Sequence, residues 1–164
     1  MAQNPDWVVF LQSLSWGAAL KVTLAALLGG IVGFEREVHG RAAGLRTNIL
    51  IAMASCLFTI LSIEGFPLKG AAQDTARIAA QVVSGVGFIG AGTLLQTKNR
   101  VKGLTTAATV WLVSAVGMAV GAGAYFISIF TVILATLVLQ GLRPISKQLK
   151  SQMRNGGNKN NGGE

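Results

Sequence analysis

Charge is scarce in this chain of 164 residues: Asp, Glu, Lys and Arg make up 12%, against about 25% in an ordinary soluble domain. With 51% hydrophobic residues and a positive mean hydropathy, a soluble fold of this length is excluded, because small domains leave much of their surface exposed. Cysteine is nearly absent. Cys56 alone permits no disulfide within the chain, and its place in an apolar run marks an inert buried thiol. The first twenty residues hold no Lys or Arg. The positive n-region of a signal peptide is therefore missing, and the first apolar segment is expected to stay in the protein. Also missing are a nucleophile–base pair, a zinc-ligand spacing and a phosphate-binding Gly-Lys-Ser/Thr loop, so neither an enzyme nor a bound cofactor is expected.

What is present is apolar sequence in five blocks: Trp16–Phe34, Ile49–Phe66, Ile78–Leu95, Thr106–Gly123 and Tyr125–Leu142. Each approaches the roughly 20 apolar residues that cross about 30 Å of hydrocarbon. Residues 7–11 offer an additional interfacial segment, and GAGAY between the last two blocks predicts a tight helical hairpin. The net charge of +8 is scattered between the blocks instead of lining one polar face, which argues against nucleic acid. Counted by connection, Lys and Arg fall two on one side (Lys69, Arg77) and eleven on the other. The positive-inside rule then places the N-terminus outside and the C-terminus in the cytoplasm. The expected architecture is an all-α polytopic membrane protein, a bundle of about five helices over residues 1–144. A basic cytoplasmic tail over 145–164, rich in Gly and Asn, is expected to be disordered.

The stretch GFEREVHGRAAGLRT, residues 33–47, interrupts the apolar sequence with three arginines and two glutamates. Glu37 and Arg41 are spaced for an intrahelical pair. Arg36, Arg41 and Arg46 step about 140° each on a helix and cannot share one face, and Gly40 and Gly44 signal a break. The stretch fits a snorkelling turn that faces lipid headgroups. It equally fits an anion or partner site in which Glu35 and Glu37 orient the arginines. His39 reads as a solvated loop residue.

VVSGVGFIGAGTLL contains a formal G-x-G-x-x-G string, but mid-span it cannot be a dinucleotide fingerprint. Its small residues, with Gly87 and Gly90 foremost, predict close helix packing. The alternative is a broken helix lining a cavity, with Gln81 and Ser84 supplying oxygens. Gly29/Gly33 and Gly117/Gly121 repeat the G-x-x-x-G spacing on the first and fourth spans. Lys21, deep in an apolar run, snorkels outward or pairs with Glu64 or Asp74. Asp74 also suits the N-cap of the third span, and Glu64 with Asp74 makes a weak candidate site for a hard cation. Lys98, Arg100 and Lys102 precede a helix that starts near Thr105 and Thr106, an arrangement that favours an anion or a headgroup.

Together these blocks, from about Gly29 to Pro144, resemble the MgtC/SapB family of bacterial membrane proteins. The matching residues are Glu35, Arg36, Glu37, Arg41, the run from Ala43 through Arg46 to Thr47, and Asp74, Arg77, Gln81 and the third-span glycines Gly85, Gly87, Gly90 and Gly92. Gly103 to Thr106 and Trp111 also fall in them. The resemblance implies an inner-membrane protein of about five spans, tied to adaptation to low magnesium and in some members to survival in macrophages. It further implies a link to ion and membrane-potential homeostasis, and in some members inhibition of the proton-translocating ATP synthase. Many members carry a soluble C-terminal domain, for which only about twenty polar residues follow Pro144 here.

The expected function is thus that of a non-enzymatic regulator in the inner membrane. Its partners would be the lipid bilayer, a second copy of itself (a dimer first) and another membrane complex; magnesium sensitivity need not mean a bound metal. The alternative is a transporter or channel for a cation or small solute, with a path along the third span. For the charged stretch the expectation is a fixed ion-pair cluster of Glu35, Arg36, Glu37, Arg41 and Arg46 that seals the cytoplasmic end.

Overall fold

The computed structural model describes residues 16–65, 76–97 and 100–141. The interfacial segment at residues 7–11, Asp74, Lys98 and the tail lie outside the described residues. Helices α1 (Trp16–Val38), α2 (Leu45–Ile60), α3 (Ala76–Gly92) and α4 (Leu104–Gly121) follow in order, then α5 (Tyr125–Gly141). Three are long and apolar enough to cross a membrane: Trp16–Val38, Leu45–Glu64 and Leu104–Gly121. Arg77–Gly92 and Tyr125–Gly141 are shorter apolar helices, close to the lower limit of about 17 residues for a span. The chain is an all-α polytopic membrane protein.

The core is built on α2, which packs against both α1 and α4. On α1 the buried stripe is Ala25, Leu28, Gly29, Val32, Gly33 and Arg36, spaced three and four apart. On α2 it is Asn48, Ile51, Ala52, Ser55, Cys56, Thr59 and Ile60. Small and polar residues face inward while Leu27, Leu50, Leu57 and Trp111 face out, the inverse of a soluble bundle. Lipid is as apolar as leucine, so membrane helices associate through close backbone approach and hydrogen bonds. The G-x-x-x-G pairs supply that approach. A Cβ on Gly29 would lie 2.7 Å from the Asn48 carbonyl oxygen, and one on Gly33 2.8 Å from Leu45 Cα. On α4, a Cβ at Gly117 would overlap the Ala52 carbonyl, and one at Gly121 would come within 2.7 Å of the Cys56 carbonyl. Between α2 and α4 the Ser55 and Ser114 hydroxyls bond at 2.9 Å, and within α2 Thr59 donates back to the Ser55 carbonyl.

Helix ends differ from the expected bounds by a few residues, and the turns explain it. The first helix runs past Phe34 to Val38 and the second starts at Leu45 instead of Ile49. Gly40, at φ 61, closes α1 with a Schellman pair, Arg41 N–H to the Arg36 carbonyl and Gly40 N–H to the Glu37 carbonyl. The same pair at Ala124 and Gly123 closes α4, making the expected tight turn into α5. The third helix ends at Gly92 rather than Leu95. Leu95–Thr97 instead pairs antiparallel with Arg100–Lys102, Leu95 opposite Lys102. This ribbon delivers the chain to α4 through Gly103, where φ is 99 and a Cβ would strike the Thr93 carbonyl. The compact unit that holds the core ends at Val132, and a second begins at Ile133.

Candidate functional site

The last turns of α1 carry Glu35 and Arg36 into the interior, 4% and 2% exposed. A buried charge is costly unless polar partners receive it. Arg36 Nη2 donates to Thr106 Oγ1 at 3.1 Å, tying the end of α1 to the start of α4. His39 Nδ1 lies 2.7 Å from the Glu35 carbonyl oxygen and 3.5 Å from Glu35 Oε1, so the His39 ring folds back over the buried carboxylate. Glu37 points the other way. Its Oε2 accepts the Leu45 N–H at 2.8 Å, capping α2, whose first-turn N–H groups lack helical acceptors. A Cβ on Gly44 would meet that carboxylate, the mobile end of the exposed Glu37 side chain. Asn48 completes the elbow: its Nδ2 donates to the Ala43 carbonyl at 3.0 Å and the Gly44 carbonyl at 2.7 Å.

The expected five-member ion-pair cluster is therefore corrected. Glu35 and Arg36 are buried and Glu37 is a helix cap, but Arg41 and Arg46 are exposed and neither forms an ion pair among the described residues. The Glu37–Arg41 pair fails because the Schellman turn at Gly40 takes Arg41 off the helix before it can stack over Glu37. Thr47 is half-buried on the first turn of α2. Of the anion or headgroup site expected ahead of α4, Lys98 and the Arg100 side chain lie outside the described residues. Thr106 is buried and taken by Arg36, while Thr105 and Lys102 are exposed. Asn48 escaped the sequence reading, although it opens the buried stripe of α2.

At the opposite end Lys21 Nζ meets Glu64 Oε1 at 3.1 Å, with side chains 20% and 38% exposed. This is the carboxylate partner expected for an intramembrane lysine. Glu64 sits on a wider π turn, Leu61–Gly65, that continues α2. Its Oε1 is engaged by Lys21, Asp74, the other cation ligand expected with it, lies outside the described residues, and the described residues hold no cluster of three or more potential metal ligands.

The third candidate region behaves unlike the elbow. α3 is a continuous helix, which sets aside the broken-helix alternative. A Cβ on Gly90 would stand 3.6 Å from the Ala107 Cβ of α4, an ordinary contact, but one on Gly85, Gly87 or Gly92 would meet nothing within 4 Å. Close packing around Gly87 is thus not found among the described residues. Phe88 beside it is 85% exposed, and Ser84 and Arg77 are exposed too. Gln81 and Gly85 instead line an open, mostly apolar cavity of about 780 Å³ between α2 and α3.

A bundle held by small and polar faces, closed at one end by a buried polar elbow, defines an α-helical membrane protein. The chain belongs to the MgtC family, whose sequence profile matches residues 22–148. It is 43% identical over 137 residues to a protein of Escherichia coli named "Putative magnesium transporter YhiD", covering 81% of this chain and 64% of that one. It is 42% identical over 133 residues to MgtC of Brucella abortus, covering 80% and 54%. Against SrpB of Synechococcus elongatus it is 38% identical over 151 residues, covering 85% and 83%. The chain spans just under two thirds of YhiD and about half of the Brucella protein. No solved structure matches it.

Proposed function

We propose that the protein is a multi-pass, non-enzymatic regulator in the bacterial inner membrane, with its N-terminus outside and the elbow facing the cytoplasm. It serves adaptation to magnesium stress and the homeostasis of ions and membrane potential by lateral contact with another membrane complex. The proton-translocating ATP synthase is one candidate partner, and a second copy of the chain is another. The observation that carries this reading is the bare face of α3. Gly87 has open space where helix-packing glycines have backbone, and Phe88 projects beside it. Small residues let a foreign helix approach closely. The polar groups of the elbow, by contrast, are spent on joining α1, α2 and α4 to one another.

A second reading, transport of a cation or small solute along α3, draws on Gln81 at the cavity and on the name of the Escherichia coli relative. Two measurements separate them. Gly87→Leu is accommodated within the chain, so it is expected to keep membrane abundance while growth in low magnesium is lost. Purified wild-type protein in liposomes is expected to pass no more magnesium than empty vesicles. Normal growth of Gly87→Leu removes the contact face, and flux above the empty control favours transport.

A further inference from the structure

The cavity between α2 and α3 has walls of unequal character. Leu50, Ala54, Phe58 and Leu61 line it from α2, spaced as one stripe of the helix, with Gly85 and Ile89 opposite on α3. One turn before Leu50 the same stripe reaches Arg46, which is exposed and makes no ion pair among the described residues. Gly85 leaves the α3 wall open, since no atom lies within 4 Å of where its Cβ would stand.

Length selects the occupant. From Arg46 to Leu61 a helix rises about 22 Å. A bilayer with its headgroups is about 40–45 Å thick, so this stripe measures one leaflet, from headgroup level to the end of an acyl chain. A membrane-spanning helix from a second copy needs about 30 Å of apolar contact and would overrun the groove at both ends. The cation at one end then fixes the sign of the headgroup, because an arginine near the membrane surface attracts anionic lipid. We propose that this groove seats an acyl chain of one anionic phospholipid, whose phosphate is held by Arg46. The site is separate from the bare α3 face, because Gly85 and Gly87 lie about 200° apart around the helix.

Native mass spectrometry of the full chain in detergent tests this, with phosphatidylglycerol and phosphatidylethanolamine of matched acyl chains as probes. Wild-type protein is expected to retain phosphatidylglycerol about fivefold better, the weight of one cation at an anionic headgroup. Arg46→Gln is expected to abolish that preference, whereas Arg41→Gln, on the elbow turn rather than the groove stripe, is expected to keep it. Gly85→Leu fills the groove without a clash and is expected to reduce retention of both lipids. All three variants are expected to melt like wild type in lipid-free detergent, since each changes an exposed position. A preference that survives Arg46→Gln overturns the proposal. So does lipid retention that is unchanged in Gly85→Leu while a dimer mass collapses to monomer, which would assign the groove to a second copy.

Discussion

Glycine does opposite things in the two halves of this molecule. Along α1 and α4 it sits where a neighbouring backbone already occupies the space of a Cβ: Gly29 and Gly33 against Asn48 and Leu45, Gly117 against Ala52. Along α3 a Cβ on Gly85, Gly87 or Gly92 would have open space within 4 Å among the described residues. Spacing is the difference. Residues four apart share a helix face, so G-x-x-x-G makes one groove for one partner. Gly85 and Gly87 are two apart and point to opposite sides. Glycine content alone therefore says nothing about packing.

The same contrast holds for charge. Arg36 is buried and bonded across helices, while Arg41 and Arg46 stay outside. Removing Arg36 is expected to have the largest effect, because it takes away the bond to Thr106 that ties α1 to α4 and leaves a hole at a buried position. Arg36→Ala should destabilise the protein by about 3 kcal/mol, from the lost charge-assisted hydrogen bond together with the cavity left behind. Folded yield and melting temperature in detergent measure it. A variant that melts like wild type would mean that water reaches this end of the bundle.

A smaller effect sharpens the glycine comparison. Gly117→Ala pushes a methyl into the Ala52 carbonyl, and overpacking of this kind costs about 1–3 kcal/mol. Gly87→Ala adds the same methyl in open space and removes a helix-weakening glycine, so it should leave stability unchanged or slightly raised. If the two variants melt alike, the close approach of α2 and α4 is not what holds the bundle.

Much of this was legible beforehand. Hydropathy located all five helices, and of the outcomes open to Lys21 (snorkelling outward, or pairing with Glu64 or Asp74) the structure shows the pair with Glu64, at 3.1 Å. Which arginine turns inward was written in the sequence but not read. Arg36 follows Val32 by four and Gly33 by three, so it extends the small-residue stripe of α1, and Asn48 heads the equivalent stripe on α2. The Leu95–Lys102 ribbon was not legible, because three residues per strand give no measurable alternation and an apolar run ending in LLQT continues a helix equally well. The fate of Glu37 was also hidden. Its spacing to Arg41 promised an intrahelical pair, and only the reversal at Gly40 brings it to the free N–H of Leu45.

That reversal yields the smallest expected effect. Arginine and lysine differ where a planar, two-pronged group is gripped by carboxylates or stacked on a ring. Had Arg41 belonged to a fixed ion-pair cluster, Arg41→Lys would lose that grip and damage the elbow. Instead Arg41 lies beyond the Schellman turn with its backbone N–H on the Arg36 carbonyl and its side chain exposed. The exchange keeps the backbone bond and the positive charge that marks the side of the membrane. Arg41→Lys should therefore match wild type in membrane abundance, melting temperature and growth in low magnesium. Loss of growth with abundance intact would show that a partner outside the chain grips the guanidinium, and would make Arg41 a contact residue of the regulated complex.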